Sequence, residues 1–141
     1  MIITKRISFE SSHYLHNVDW DMEQNIEVYG ACSGYKSKNL AAAIERFPVC
    51  HGHSYVCEFS IAGEIDPLTG FVINFKELKK ILDERIINVF DHNCINDVLP
   101  ITYQPATVEN MIKWIVEQSD LRNDILFMTD SRAELYKIRI I

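Results

Sequence analysis

Residues 51 to 61 constrain this chain more than any other stretch. His51, His53, Tyr55, Cys57, Phe59 and Ile61 alternate with other residues, and alternate side chains of a strand share one face. The spacing therefore predicts a strand from Gly52 to Ile65 whose inward face carries two imidazoles at its start. Two histidines at i and i+2 let both rings reach one ion, and imidazole is the commonest neutral metal ligand. Gly52 between them leaves room for something to approach the backbone. An isolated H-x-H more often marks exposed or hydrogen-bonded histidines than a metal site, so a third ligand is needed. The start of the chain offers one. Ile3, Ile7 and Phe9 share one parity, with Thr4, Arg6 and Ser8 on the other, which reads as a half-buried strand. Continued through Ser11, that parity puts His13 on the Phe9 side.

A length of 141 residues fits a single domain over 1–141, and 48% hydrophobic residues supply a core. The formal charge of −6 argues against coating nucleic acid, but leaves room for an anionic substrate in a local basic pocket. Cys32, Cys50, Cys57 and Cys94 form no C-x-x-C, and the N-terminus does not read as a signal peptide. They are expected to be reduced thiols of a cytoplasmic protein. No apolar run approaches the roughly 20 residues of a membrane span.

Between the two strands, 16–49 is irregular, with Leu40 to Phe47 rich in helix formers and Pro48 closing that helix. After the second strand, Asp66-Pro67-Leu68-Thr69-Gly70 is turn chemistry, and Phe71-Val72-Ile73 is expected to continue the sheet. Asn74 caps a helix over 75–89, with Glu77 in capping-box position and Phe75, Leu78, Leu82, Ile86 and Val89 as its apolar stripe. Asp91 to Asp97 is a polar loop. Thr107 opens a second helix, to about Ser119, with Val108, Met111, Ile112 and Ile115 inward. The tail reads as two short strands, Ile125–Thr129 and Glu134–Ile140. The expected class is α+β: a four-stranded antiparallel sheet with two helices on one face.

With this order in place, the chain resembles the 6-pyruvoyltetrahydropterin synthase and 6-carboxytetrahydropterin synthase family. The resemblance runs through Phe9-Glu10-Ser11-Ser12-His13, Asn25-x3-Tyr29-Gly30-x-Cys32, His51-Gly52-His53-Ser54-Tyr55, Gly63 to Gly70, Asp91-His92-Asn93 and Thr107-x-Glu109-Asn110. It implies the tunnelling fold (T-fold), an oligomeric barrel that is commonly a homohexamer, a zinc ion, and 7,8-dihydroneopterin triphosphate as substrate. Carried over, His13, His51 and His53 are the zinc ligands; three ligands leave the fourth position open, as catalytic zinc requires.

The resemblance also implies a cysteine base that works with an Asp-His pair, matched by Cys32, Asp91 and His92. The cysteine usually stands four to six residues before H-G-H; here an apparent insertion over 33–49 separates Cys32 from His51. Glu45 is therefore a rival base, while Cys50 has the wrong parity. Thr107 and Glu109 match residues near the pterin pocket. A pterin-anchoring glutamate is expected near the end of the penultimate strand, where Asp130 is the nearest carboxylate and Glu134 the fallback. Tyr14 stands where many members carry arginine; Lys36, Lys38 and Arg46 are substitutes for that charge. The expected activity is a zinc-dependent lyase making 6-carboxytetrahydropterin, with acetaldehyde and triphosphate released, as in queuosine precursor synthesis. The alternatives are 6-pyruvoyltetrahydropterin synthase, a non-catalytic zinc- and pterin-binding protein, and an unrelated structural zinc protein.

Overall fold

A computed structural model describes residues 1–35 and 48–141. The expected helix at Leu40–Phe47, Glu45, Lys36, Lys38 and Arg46 lie outside the described residues. Two long strands dominate: β1 (Ile2–His13) and β2 (His51–Gly63) pair antiparallel along their whole lengths. Between them α1 (Met22–Tyr29) is capped by Asp21, whose carboxylate accepts from the Gln24 N–H, and a 3₁₀ turn follows over Gly30–Ser33. Beyond β2, Asn74 caps α2 (Phe75–Leu82) through its side-chain oxygen, which accepts from the Lys76 N–H. A π turn (Asp83–Ile87) leads into α3 (Asn88–Phe90), and α4 (Ile95–Val98) follows. Thr107 caps α5 (Val108–Gln118); α6 (Leu121–Met128) and β3 (Ala133–Ile140) complete the chain.

Among the described residues the sheet has three strands, in the order β1-β2-β3, and not the expected four. The run Ile125–Thr129 is helical. Short apolar runs do not distinguish a buried strand from a helix; Leu121 and Ile125, four apart, are both fully buried, while Phe127 is exposed. Phe71-Val72-Ile73 does not extend the sheet either: Val72 and Ile73 enter the core without a strand partner.

The register explains the core. Phe9 faces Tyr55, Ile7 faces Cys57 and Ile3 faces Ile61, so the odd positions of both strands share a face. That face packs on Leu78, Leu82, Ile86, Phe90, Met111, Ile115 and Ile125. Each large apolar side chain so buried contributes about 1.5–3 kcal/mol. In β3 one extra residue, Tyr136, sits opposite the Ser60/Ile61 step. It switches the core-facing positions from Ala133 and Leu135 to Ile138 and Ile140. The even face is polar: Thr4 meets Ser60 (2.9 Å), Arg6 and Arg139 both reach Glu58, and Ser54 donates to Glu10 (2.7 Å). The helical segments after β2 thus pack on one face, but they are more than the two expected, and α1 forms within the stretch read as irregular. No described helix is long and apolar enough to cross a membrane.

The cysteines differ from expectation. Cys50 and Cys94 form a disulfide, leaving Cys32 and Cys57 free. The 91–96 loop folds back along the end of β1, with a bridge between Ser12 and Cys94. That brings Cys94 beside the start of β2, a proximity that sequence spacing does not reveal.

Candidate metal centre

His13 closes β1 and pairs with His51, the first residue of β2; two residue pairs inward, Ser11 faces His53. All three imidazoles fall on the helix-facing side. Their ring centroids lie 4.6–4.9 Å apart, and one nitrogen from each can be chosen so that all lie within 4.8 Å of one another. His13 is buried, and its Nδ1 is 2.8 Å from the Ala106 carbonyl. A carbonyl only accepts, so Nδ1 carries the proton and Nε2 presents its lone pair. That Nε2 is buried, with no hydrogen-bond partner among the described residues. A metal-ligating histidine is oriented in this way, with its other nitrogen donating to a fixed acceptor.

Burial lowers the His13 pKa from its ordinary 6.5; the Ala106 carbonyl opposes that, and His51 and His53 lower it further. Burial, then His53, lowers the pKa of His51. Both rings are therefore neutral at neutral pH, the form that binds a metal. Three nitrogens of borderline softness, close enough to converge and one of them orphaned, fit a zinc ion with an open fourth position.

The residues on either side of Ala106 are hydrogen-bonded to the start of α5. The Thr107 N–H donates to the Pro105 carbonyl (2.8 Å), and so does the Asn110 side chain (2.8 Å), while Thr107 Oγ1 accepts from the Asn110 N–H. Thr107 thus joins the site through the neighbouring Ala106, with its hydroxyl engaged as helix cap. Glu109, in the first turn of α5, is exposed.

Sequence reasoning counted Tyr55 as a strand position and as part of the family motif, and gave it no role in the site. Its ring stacks on Phe9 (5.2 Å) and lies edge-on to His53 (6.0 Å) and His13 (6.5 Å). The hydroxyl is buried without a partner among the described residues. Burial first, then the Cys32 and Cys57 thiols, pushes its pKa up to about 12, so the phenol stays a neutral donor. The signal was available: Tyr55 follows His53 on the same parity.

Cys32 is half-buried and free, and its carbonyl accepts from the N–H of Leu15 (2.7 Å), two residues beyond His13. The buried Asn25 side chain fastens α1 to the same loop, accepting from the Asn17 N–H and donating to the Asn17, Trp20 and Asp21 carbonyls. Asp91 accepts from His92 Nδ1 (2.8 Å) and from the Glu10 N–H (2.9 Å). The expected Asp-His pair is therefore formed, but the His92 ring is largely exposed and outside the three-histidine set. It borders an open cleft of about 360 Å³ with Glu10, Ser12, Gly52, His53 and Ser54.

The profile of the family described as 6-pyruvoyl tetrahydropterin synthase matches residues 2–141. The 6-pyruvoyl tetrahydrobiopterin synthase of Homo sapiens is 32% identical over 143 residues, covering 96% of this chain and 90% of the human protein. That of Poecilia reticulata is 37% identical over 114 residues, covering 80% and 69%. This chain belongs to the 6-pyruvoyl tetrahydropterin synthase family. The structure of the Caenorhabditis elegans 6-pyruvoyl tetrahydropterin synthase superposes with a TM-score of 0.72 at 23% identity, covering all of this chain and 87% of the other. The fold is thus the family's. A dihydroneopterin monophosphate aldolase of Pyrococcus furiosus is 33% identical over 78 residues, 55% of this chain and 62% of that one.

Within this family member, the two candidate pterin anchors stand far from the histidines. Asp130 lies in the turn before β3, and Glu134 near the start of β3 pairs with Ala62. That is the opposite end of the 13-residue β2 from His51, about 40 Å away at the rise of a strand. One chain does not bring these carboxylates to its own histidines.

Proposed function

We propose that this chain is a zinc-dependent lyase acting on 7,8-dihydroneopterin triphosphate and forming 6-pyruvoyl tetrahydropterin with release of triphosphate. One observation carries the reading: His13 Nε2 is buried, without a hydrogen-bond partner among the described residues, and turned by the Ala106 carbonyl toward two further imidazoles. Zinc held by His13, His51 and His53 supplies a Lewis acid for the side-chain oxygens of the substrate. Cys32 takes a proton from the side chain and returns it as the dihydro ring becomes tetrahydro, so the side-chain carbons are oxidised as the ring is reduced. Tyr55 offers a neutral donor beside the same centre. The names of the curated relatives support the pyruvoyl product over the 6-carboxy product that the resemblance alone suggested.

A site that uses both the histidines and Asp130 or Glu134 needs two copies of the chain. The edge of β3 and the part of the β1 edge that the 91–96 loop leaves uncovered are the surfaces on which copies would pair, so the working unit is a homo-oligomer, with a hexamer expected from the family. In that assembly Asp91 and His92, on the exposed rim, are available to a neighbouring copy's centre, as are Thr107 and Glu109 to the pterin.

The test is incubation of the zinc-loaded protein with 7,8-dihydroneopterin triphosphate and mass spectrometry of the products. Pyruvoyl tetrahydropterin and triphosphate are expected. 6-Carboxytetrahydropterin with acetaldehyde would establish the other product, and an unchanged substrate with zinc bound would overturn the lyase reading.

A further inference from the structure

The disulfide between Cys50 and Cys94 closes a span of 44 residues. Cys50 directly precedes the candidate ligand His51, and Cys94 directly follows Asp91-His92-Asn93. The loop carrying Cys94 is tied firmly to β1. His92 N–H donates to the Glu10 carbonyl (2.6 Å), while Ser12 N–H (3.1 Å) and Ser11 Oγ (2.6 Å) donate to the Asn93 carbonyl. Asn96 accepts from the Tyr14 N–H and donates to the Tyr14 carbonyl. Among the described residues, no hydrogen bond links residues 91–96 to residues 48–53. Among the described residues, the disulfide is the direct tie between this loop and Cys50, the residue before β2.

The three histidines are unequally supported. His13 is fixed by its bond to Ala106 and by burial. His51 has no such side-chain partner among the described residues, and it occupies the last rung of the β1–β2 ladder, where strands fray. Its position depends on the backbone at the very point where Cys50 is covalently anchored. We propose that the Cys50–Cys94 disulfide positions His51 for metal binding, so that zinc retention at the three-histidine centre depends on the redox state of this cysteine pair. The inference rests on the zinc reading above. Opening the bond requires a two-electron reductant. With a dithiol, one thiolate attacks a disulfide sulfur and its second thiol displaces the mixed disulfide. Two cysteine thiols form as the dithiol becomes a disulfide, with the two protons accounted for by the new thiols.

Loss of a group that orients a metal ligand typically weakens metal binding by roughly 10–100-fold. The experiment loads the oxidised protein with zinc and follows zinc release to a chromogenic chelator, before and after reduction. The reductant is a phosphine, which takes up oxygen from water as the disulfide becomes two thiols; unlike a dithiol it does not compete strongly for zinc. Cys94→Ser is measured in parallel, with thiols counted under denaturing conditions. Oxidised protein should show two thiols and reduced protein four. Release should be roughly 10–100-fold faster from reduced protein and from Cys94→Ser, with the variant insensitive to phosphine. Because the wild type is compared with itself, a poorly folding variant does not decide the matter. Equal release from both redox forms, slower release after reduction, or four thiols in protein treated with a mild oxidant would overturn the inference. Failure of the oxidised protein to bind one zinc per chain would instead overturn the zinc reading beneath it.

Discussion

The two ends of the β1–β2 pair share one ladder but differ in what they leave unfilled. At the Gly63 end the Met1 ammonium donates to the Gly63 carbonyl (2.9 Å), and the Gly63 N–H donates to the Met1 carbonyl (3.0 Å). A Cβ on Gly63 would overlap Ala133 and come within 2.7 Å of the Arg132 carbonyl oxygen. Arg132 Nη1 is unpartnered there, but Nη2 of the same guanidinium reaches Asp66 (3.4 Å). At the histidine end, among the described residues, a Cβ on Gly52 would meet nothing within 4 Å, and His13 Nε2 and Tyr55 Oη are buried without a partner. A buried polar group left unsatisfied costs about 1–3 kcal/mol. One end is filled for stability, and the other gives up stability around a space that a ligand can complete.

If that contrast is right, the largest effect of any change belongs at the open end. Cys32→Ala is expected to lower kcat by roughly 10²–10⁴-fold, the range for general acid–base catalysis, with zinc content unchanged. Alkylation gives an independent reading. Cys57 is fully buried, its thiol pushed up to about 12 by that burial, and Cys50 and Cys94 are bonded to each other. Cys32 is thus the one accessible free thiol, and substrate should protect it. A silent Cys32→Ala, with the loss carried by Glu45→Gln, would move the base to Glu45.

The glycines test the contrast without touching the chemistry. Gly63→Ala forces overlap with Ala133 and should destabilise by about 1–3 kcal/mol, as overpacking does. Gly52→Ala places its methyl in open space and should change stability by no more than about 0.5 kcal/mol. Denaturant midpoints of the two variants give the comparison. Equal losses would mean that the histidine end is as tightly filled as the other.

The sequence carried β1, β2 and β3, the parity of His13 with His51 and His53, and the helices capped by Asn74 and Thr107, because each is written in local periodicity; it missed α1, which lies in the stretch read as irregular. It misread the tail, because Ile125 to Thr129 is apolar enough to suit either period, and only packing of Leu121 and Ile125 on the core decides. The Cys50–Cys94 pairing depends on a loop folding back over β1, and the separation of Asp130 from the histidines on strand length; neither has a local signature. Tyr55 was visible as a core residue, but its orphaned hydroxyl emerges only once every neighbour is placed.

The smallest expected effect compares one carboxylate from each end. Asp91 is held below its ordinary 3.8, first by the Glu10 N–H and then by His92. Asp66, near Gly63, is also lowered, first by the Leu68 N–H, with Thr69 and Arg132 adding to it. For a carboxyl whose folded pKa is depressed, the stabilisation is complete above the unfolded value and is lost as pH falls through the folded one. Asp91→Asn and Asp66→Asn should therefore each lower Tm at pH 7, and both deficits should shrink as the parent protein is acidified below 3.8. Both carboxylates are solvated, so the shifts should not exceed about 2 °C. Asp66, with more donors around it, should show the larger one. Thermal melts from pH 7 down to pH 3 decide it. A deficit for Asp91→Asn that exceeds that of Asp66→Asn, or that persists undiminished in acid, would mean that the histidine end relies on Asp91 for packing and not for charge.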